Sequence, residues 1–193
     1  MNDCVHFYGG GFKTLCYLNY VKQLIGQSEM PRFYSGTSSG ALVACLCLAL
    51  SSISNIDERK IALGRAIIII KNDIIIATNS MYKNLIKCQT SVDVIINICR
   101  AIQPDIDKYN NKLNVNITRL FKPHLYQSCK WDNWNDLKLD LIAGSSIPGI
   151  QDYTIRKDSK GYMSFDGSIC GESLPNYWGY INFTTVSCNH YSK

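Results

Sequence analysis

Gly36-Thr37-Ser38-Ser39-Gly40 has the G-x-S-x-G form of a nucleophile elbow. Such an elbow is a tight strand-to-helix turn that lifts a serine hydroxyl above a helix N-terminus. It needs small flanking residues because the backbone there is crowded and strained. A hydroxyl held in this way suits nucleophilic attack on an acyl carbon through a covalent intermediate. The flanks give the motif its context. Arg32-Phe33-Tyr34, after the breaker Pro31, reads as a short strand, and Ala41-Leu42-Val43-Ala44-Cys45-Leu46 reads as a buried helix.

A serine nucleophile needs a base. The chain has three histidines, His6, His124 and His190, and none sits in a local motif. There is room for one strand and one helix before the strand that enters Ser38, whereas the α/β-hydrolase arrangement places several strands there and its histidine late. A triad stays open, and a carboxylate is the other candidate. Asp166 lies in Ser164-Phe165-Asp166-Gly167-Ser168, after Gly161-Tyr162-Met163, which reads as a strand ending in a turn. Asp-Gly is a common turn dipeptide. In a chain with a serine elbow, a carboxylate there is also placed to accept the Ser38 proton.

A third group lies upstream. Val5-His6-Phe7-Tyr8 reads as a strand and runs into Gly9-Gly10-Gly11. Residues 12–25 then carry Leu15, Leu18, Val21, Leu24 and Ile25 on one helical face, with Gly26 as a stop. A strand, a glycine run and a helix make an anion site, since unhindered N–H groups and the helix dipole point at the ligand. Lys13 adds a full charge. No G-K-[ST] follows, so a phosphate loop is disfavoured, and Thr14 occupies the third glycine position of a dinucleotide fingerprint. Beside a serine nucleophile, the run fits an oxyanion hole.

Taken in order, Gly9-Gly10-Gly11-Phe12-Lys13, Gly36-Thr37-Ser38-Ser39-Gly40 and Asp166-Gly167 resemble the motifs of the patatin-like phospholipases. The likeness extends to the strand-like Lys112-Leu113-Asn114-Val115-Asn116-Ile117-Thr118-Arg119-Leu120, to Ala143-Gly144-Ser145-Ser146-Ile147-Pro148-Gly149, and to Leu174-Pro175. It is nearest in flavour to the adiponutrin and adipose triglyceride lipase branch. The resemblance implies a Ser38–Asp166 dyad, with Gly9, Gly10, Gly11 and Lys13 at the oxyanion hole and Gly36, Gly40 and Gly167 as motif glycines. It implies a serine lipid acyl hydrolase of the phospholipase A, lysophospholipase or acylglycerol lipase type, with no metal or other cofactor. Its substrate would be a lipid at a membrane or droplet surface. Thr14, Ser168 and Ser173 depart from the family pattern, but none removes a reacting group. The alternatives are a catalytically weak lipid-binding or regulatory module on the same fold, and a soluble esterase or acyltransferase.

The elements that must position these groups read as an α/β fold, a three-layer α/β/α sandwich with a mostly parallel central sheet. Strands are expected at residues 5–8, 32–34, 113–118, 163–165 and 183–186, with mainly helix over 57–100. The 193 residues and 46% hydrophobic content fit one catalytic domain spanning 1–193, with residues 104–111 as a surface loop. The nine scattered cysteines include no C-x-x-C pair. That argues against zinc and for reduced, buried thiols in an intracellular protein without a signal peptide. The sequons at Asn116 and Asn182 are therefore treated as chance. Residues 41–50 are too few to span a bilayer, and residues 61–77 are interrupted by Arg65, Lys71 and Asp73. No transmembrane segment is expected. Residues 61–77 are read as a core element, with a lipid-facing amphipathic face as the alternative. The net charge of +5 is spread without a tight basic cluster, so nucleic-acid binding is not implied. Trp131 and Trp134 are expected to pack rather than to anchor at an interface.

Overall fold

The computed structural model describes residues 3–9, 17–80, 88–121, 123–147, 155–170 and 183–187; side chains of 73–80, 88–90 and 183 are outside that description. Its strands are β1 (Cys4–Phe7), β2 (Phe33–Thr37), β3 (Leu113–Arg119), β4 (His124–Ser128), β5 (Arg156–Lys157), β6 (Met163–Asp166) and β7 (Phe183–Val186). Its helices are α1 (Tyr17–Ile25), α2 (Ser39–Ser51), α3 (Ile56–Ser80), α4 (Cys88–Ile102) and α5 (Trp134–Ser145). The strands form one sheet in the order β5-β6-β3-β2-β1-β7, with β4 also paired to β3.

The expected α/β fold around a central sheet is present. Strands β7, β1, β2 and β3 run parallel, and helical crossovers connect β1 to β2 and β2 to β3, as parallel neighbours require. The far side is antiparallel: β4 and β6 both pair with β3, and β5 pairs with β6. The sheet is therefore mixed. The sequence reading did not anticipate β4 or β5. His124-Leu125-Tyr126-Gln127-Ser128 has only Leu and Tyr as strand formers and is held by its ladder to β3. Strand β2 runs to Thr37, beyond the expected residue 34, because pairing with β3 outweighs the weak strand propensity of Ser35 and Gly36.

Helix α2 is buried at every residue from Ser39 to Leu50. A helix apolar all round belongs at the centre of a core. Phe7 of β1 packs edge-on against Tyr17 of α1, with ring centroids 5.5 Å apart. On α5, a methyl at Gly144 would lie 3.3 Å from Val115 Cγ1 and Ile117 Cγ1, so this helix rests closely on β3. The Cys45 and Cys99 sulfurs, from α2 and α4, lie 3.7 Å apart. The hydrogen bond with Cys99 and burial hold the Cys45 thiol well above its ordinary range, and burial, with Asp3 nearby, pushes Cys4 up to about 12. These are unreactive packing thiols.

Helix α3 divides its residues. Leu63 and Ala66 are buried, while Ile61, Ile68 and Ile69 are exposed, so it is only partly the core element expected. Among the described residues, no helix is long and apolar enough to cross a membrane. Residues 104–111, expected as a surface loop, contain a short 3-10 turn, Ile106–Lys108, and a buried Tyr109. Tyr109 is drawn in by an edge-on contact with Trp134, centroids 5.0 Å apart.

Trp131 packs in the core, as expected, and its indole N–H donates to Asp140 Oδ2 at 2.7 Å. The same carboxylate accepts from Ser128 Oγ, from Ser159 N at 2.6 Å and from Ser159 Oγ at 3.0 Å. Burial pushes the Asp140 carboxyl above its ordinary range, and these hydrogen bonds pull the other way. Asp140 thereby ties α5 to the end of β4 and to the β5–β6 turn. Asp140→Ala strands four donors at once and should lower stability by about 3 kcal/mol or more. A urea unfolding midpoint measures this, and a shift equivalent to under about 1 kcal/mol would show the hub to be dispensable.

Candidate active site

Strand β3 organises the site. Its residues Val115 to Arg119 pair with β4 on one edge. Pairing to β2 overlaps that stretch at Val115 and Asn116, and pairing to β6 overlaps it at Ile117 to Arg119. Strands β2 and β6 must therefore share the opposite edge. Strand β2 ends with Thr37 beside Asn116, and the oppositely directed β6 ends with Asp166 beside Ile117. The two strands meet head-on at adjacent residues of β3. Strand β2 cannot continue, because Asp166 holds the place next to Ile117, so the chain turns away at Ser38. Ser38 and Asp166 thus arrive in one corner.

The turn has the strain of an elbow. Ser38 adopts φ 54° and ψ −132°, a region that costs a residue with a side chain ~1–3 kcal/mol. It precedes the first residue of α2, yet its side chain makes no capping hydrogen bond. The hydroxyl therefore stands at the positive end of the α2 dipole without serving the helix. The motif glycines are required by close approach. A Cβ at Gly36 would sit 2.5 Å from Ala41 N, and one at Gly40 would sit 2.5 Å from the Tyr8 carbonyl oxygen. A Cβ at Gly167 would collide with the Asn116 carbonyl.

Asp166 is fully buried. Its Oδ1 accepts from Ser168 N at 2.9 Å and from Ser168 Oγ at 2.6 Å, while its Oδ2 is buried without a hydrogen-bond partner. Such an orphaned oxygen is costly. Ser168, a departure from the family pattern, supplies both donors that fix the carboxylate. The C-terminal end of α5 braces the two halves of the corner. Ser145 Oγ donates to the Ser38 carbonyl oxygen at 3.2 Å, and Asp166 N donates to the Ser146 carbonyl oxygen at 2.9 Å.

Behind the corner runs a buried polar ladder that the sequence reading missed. His6 Nδ1 and Ser35 Oγ are 2.9 Å apart. Asn114 Nδ2 donates to Ser35 Oγ at 2.9 Å and to Asn116 Oδ1 at 3.0 Å, and Asn116 Nδ2 donates to Thr37 Oγ1 at 2.9 Å. All five residues are buried. The alternation of Asn114 and Asn116 in Leu113-Asn114-Val115-Asn116-Ile117 was the available signal: one face of this strand is polar although both are covered. The ladder stiffens the end of β2 next to Ser38.

Gly9 follows β1 on the exposed side of the site, and the contact of Gly40 with the Phe7 and Tyr8 carbonyls places the end of β1 against the first turn of α2. Gly10, Gly11 and Lys13 lie outside the described residues. His6 belongs to the ladder, His124 is exposed at the start of β4, and His190 lies outside the description. Among the described residues, no group of three or more His, Cys, Asp or Glu side chains is arranged to hold a metal ion.

Comparison with known proteins bears on the family and the fold. The family model described as Patatin-like phospholipase matches residues 7–128. Among solved structures, the chain is similar to VipD from Legionella pneumophila, with a TM-score of 0.50 and 13% identity over 96% of this chain and 49% of that one. The chain thus spans about half the length of that relative, and the likeness is one of fold. No curated protein matches the chain.

Proposed function

The chain belongs to the patatin-like phospholipase family, and from that premise we propose that it is a serine lipid acyl hydrolase with a Ser38–Asp166 dyad. The observation that carries the proposal is the head-on meeting of β2 and β6, which sets a strained, uncapped serine beside a carboxylate with one unpartnered oxygen. Asp166 Oδ2 takes the Ser38 proton as Oγ attacks the acyl carbonyl. The alkoxide leaving group departs with a proton from Asp166, leaving an acyl-enzyme. Water, activated by Asp166, then releases the fatty acid. The N–H groups of Gly10 and Gly11, with Gly9, bind the oxyanion, and Lys13 supports that loop electrostatically. The motif order and the Leu174-Pro175 pair support the family reading, and kinship with its adiponutrin and adipose triglyceride lipase branch is part of the proposal. The buried, unpaired thiols among the described residues support an intracellular setting, and the reading includes action as a single domain at a lipid surface.

The oxyanion role is tested at the glycine run. Gly10→Val or Gly11→Val should lower turnover by roughly 100-fold, as loss of one aimed donor does. An unchanged turnover number would make the run structural only. The substrate class is tested by product analysis with a phospholipid, a lysophospholipid and a triacylglycerol. Fatty acid release from at least one is expected, and release from none, with cleavage of soluble esters alone, would replace the lipid hydrolase by an esterase.

A further inference from the structure

Eight large hydrophobic side chains are exposed among the described residues. Three, Ile61, Ile68 and Ile69, lie along α3. The other five, Tyr8, Phe121, Ile155, Tyr162 and Ile169, gather at the end of the sheet that holds Ser38 and Asp166. Tyr8 follows β1, and its carbonyl abuts Gly40. Ile169 lies three residues beyond Asp166 in the short turn Gly167–Ile169. Strand β3 continues past the site beside β6, with Arg119 opposite Ser164 and Leu120 N donating to the Met163 carbonyl oxygen at 3.0 Å, so Phe121, which follows β3, and Tyr162, which precedes β6, lie at this same end. Ile155 leads into β5, the next strand over. Phe121 is 81% exposed at the tip of the β3–β4 turn.

The exposed carboxylates lie at the end of the molecule opposite the site, where Lys22, Arg32, Lys60, Lys108, Lys112 and Lys130 are exposed among them. Six carboxylates are exposed among the described residues: Glu29, Asp57, Glu58, Asp105, Asp107 and Asp132. Each lies at the opposite end, before β2 or β3, at the start of α3, or after β4. At the site end, Lys157 and Lys160 are exposed, while the carboxylates of the same segment, Asp158 and Asp166, are buried. Asp158 is paired with Arg119 at 2.7 Å. An apolar rim with two lysines and, among the described residues, no exposed carboxylate suits a surface that is apolar within and negative at its face.

We infer that the β3–β4 turn and the β5–β6 hairpin form the docking surface by which this chain seats its active-site end on an anionic phospholipid bilayer. Phe121 enters the acyl boundary, and Lys157 and Lys160 meet the headgroups. This inference rests on the hydrolase reading for its purpose, though the surface itself is read from exposure and charge. An enzyme docked this way presents Ser38 to a lipid without crossing water.

The test is sedimentation of the full chain, carrying Ser38→Ala so that lipid is not consumed, with vesicles of phosphatidylcholine alone or mixed with phosphatidylserine. Binding should be stronger to the mixed vesicles and should fall with added salt. Phe121→Ser should weaken it about tenfold. Lys157→Glu with Lys160→Glu should weaken it by at least ~20-fold at low salt. Ile68→Ser with Ile69→Ser on α3 should leave it unchanged, and thermal unfolding checks that each variant is folded. Undiminished binding by folded Phe121→Ser, loss confined to the α3 variant, or no binding at all would overturn the inference. The wild-type chain is also offered a water-soluble short-chain ester. Cleavage of that ester without vesicle binding sinks the docking surface alone. Docking with no cleavage of soluble or vesicle ester sinks the hydrolase reading and leaves the surface standing.

Discussion

Ser38→Ala should reduce ester hydrolysis to background, a loss of roughly 10⁶-fold, since removing a serine nucleophile disables the whole catalytic unit. The fold should survive. The Ser38 side chain makes no capping bond to α2, and the brace from Ser145 goes to the Ser38 carbonyl, which alanine keeps. The positive φ of 54° is as tolerable for alanine as for serine. Unfolding midpoints within about 1 kcal/mol of each other and a rate at background would agree with this account. Retained hydrolysis in a homogeneous preparation would move the nucleophile elsewhere. Ser39, already in the first turn of α2, is the nearest rival.

Asp166→Asn should cost about 10⁴-fold, comparable to the loss when the acid that orients a triad histidine becomes an amide. Asparagine keeps the size and can keep an oxygen facing the two donors of Ser168, but it offers no base to the Ser38 hydroxyl. The companion variants discriminate between mechanisms. His124→Ala and His190→Ala should turn over normally. His6→Ala loses the contact with Ser35 inside the buried ladder, so it should be less stable, yet its folded fraction should hydrolyse ester. A folded histidine variant that is dead, while Asp166→Asn still turns over, would replace the dyad by a triad. The readout is steady-state turnover corrected for the folded fraction of each variant.

The site was legible in the sequence wherever a backbone constraint forces a residue type. Gly36, Gly40 and Gly167 have no room for a Cβ, and that crowding is what the motifs record. Apolar strand cores such as Leu113, Val115 and Ile117 were legible for the usual reason, alternation. What escaped was set by pairing across the chain. Strand β4 owes its existence to the ladder with β3 rather than to its own residues. The Asn114–Asn116–Thr37 chain joins positions 79 apart, and no local window shows that partnership. Ser145 and Ser146 were noted only as part of a small-residue segment; their bonds to Ser38 and Asp166 depend on where α5 ends against the sheet. Residues 104–111 looked like a polar loop because six of the eight are Asp, Asn, Lys, Pro or similar turn formers, and the pull of Trp134 on Tyr109 lies outside that stretch.

The most direct measurement is covalent: incubation of the wild-type chain with a fluorophosphonate, proteolysis, and mass mapping of the adduct. The account predicts one adduct on Ser38, absent from Ser38→Ala and formed far more slowly by Asp166→Asn. An adduct on any other residue, or a wild-type chain that hydrolyses ester while Ser38 stays unlabelled, would contradict it.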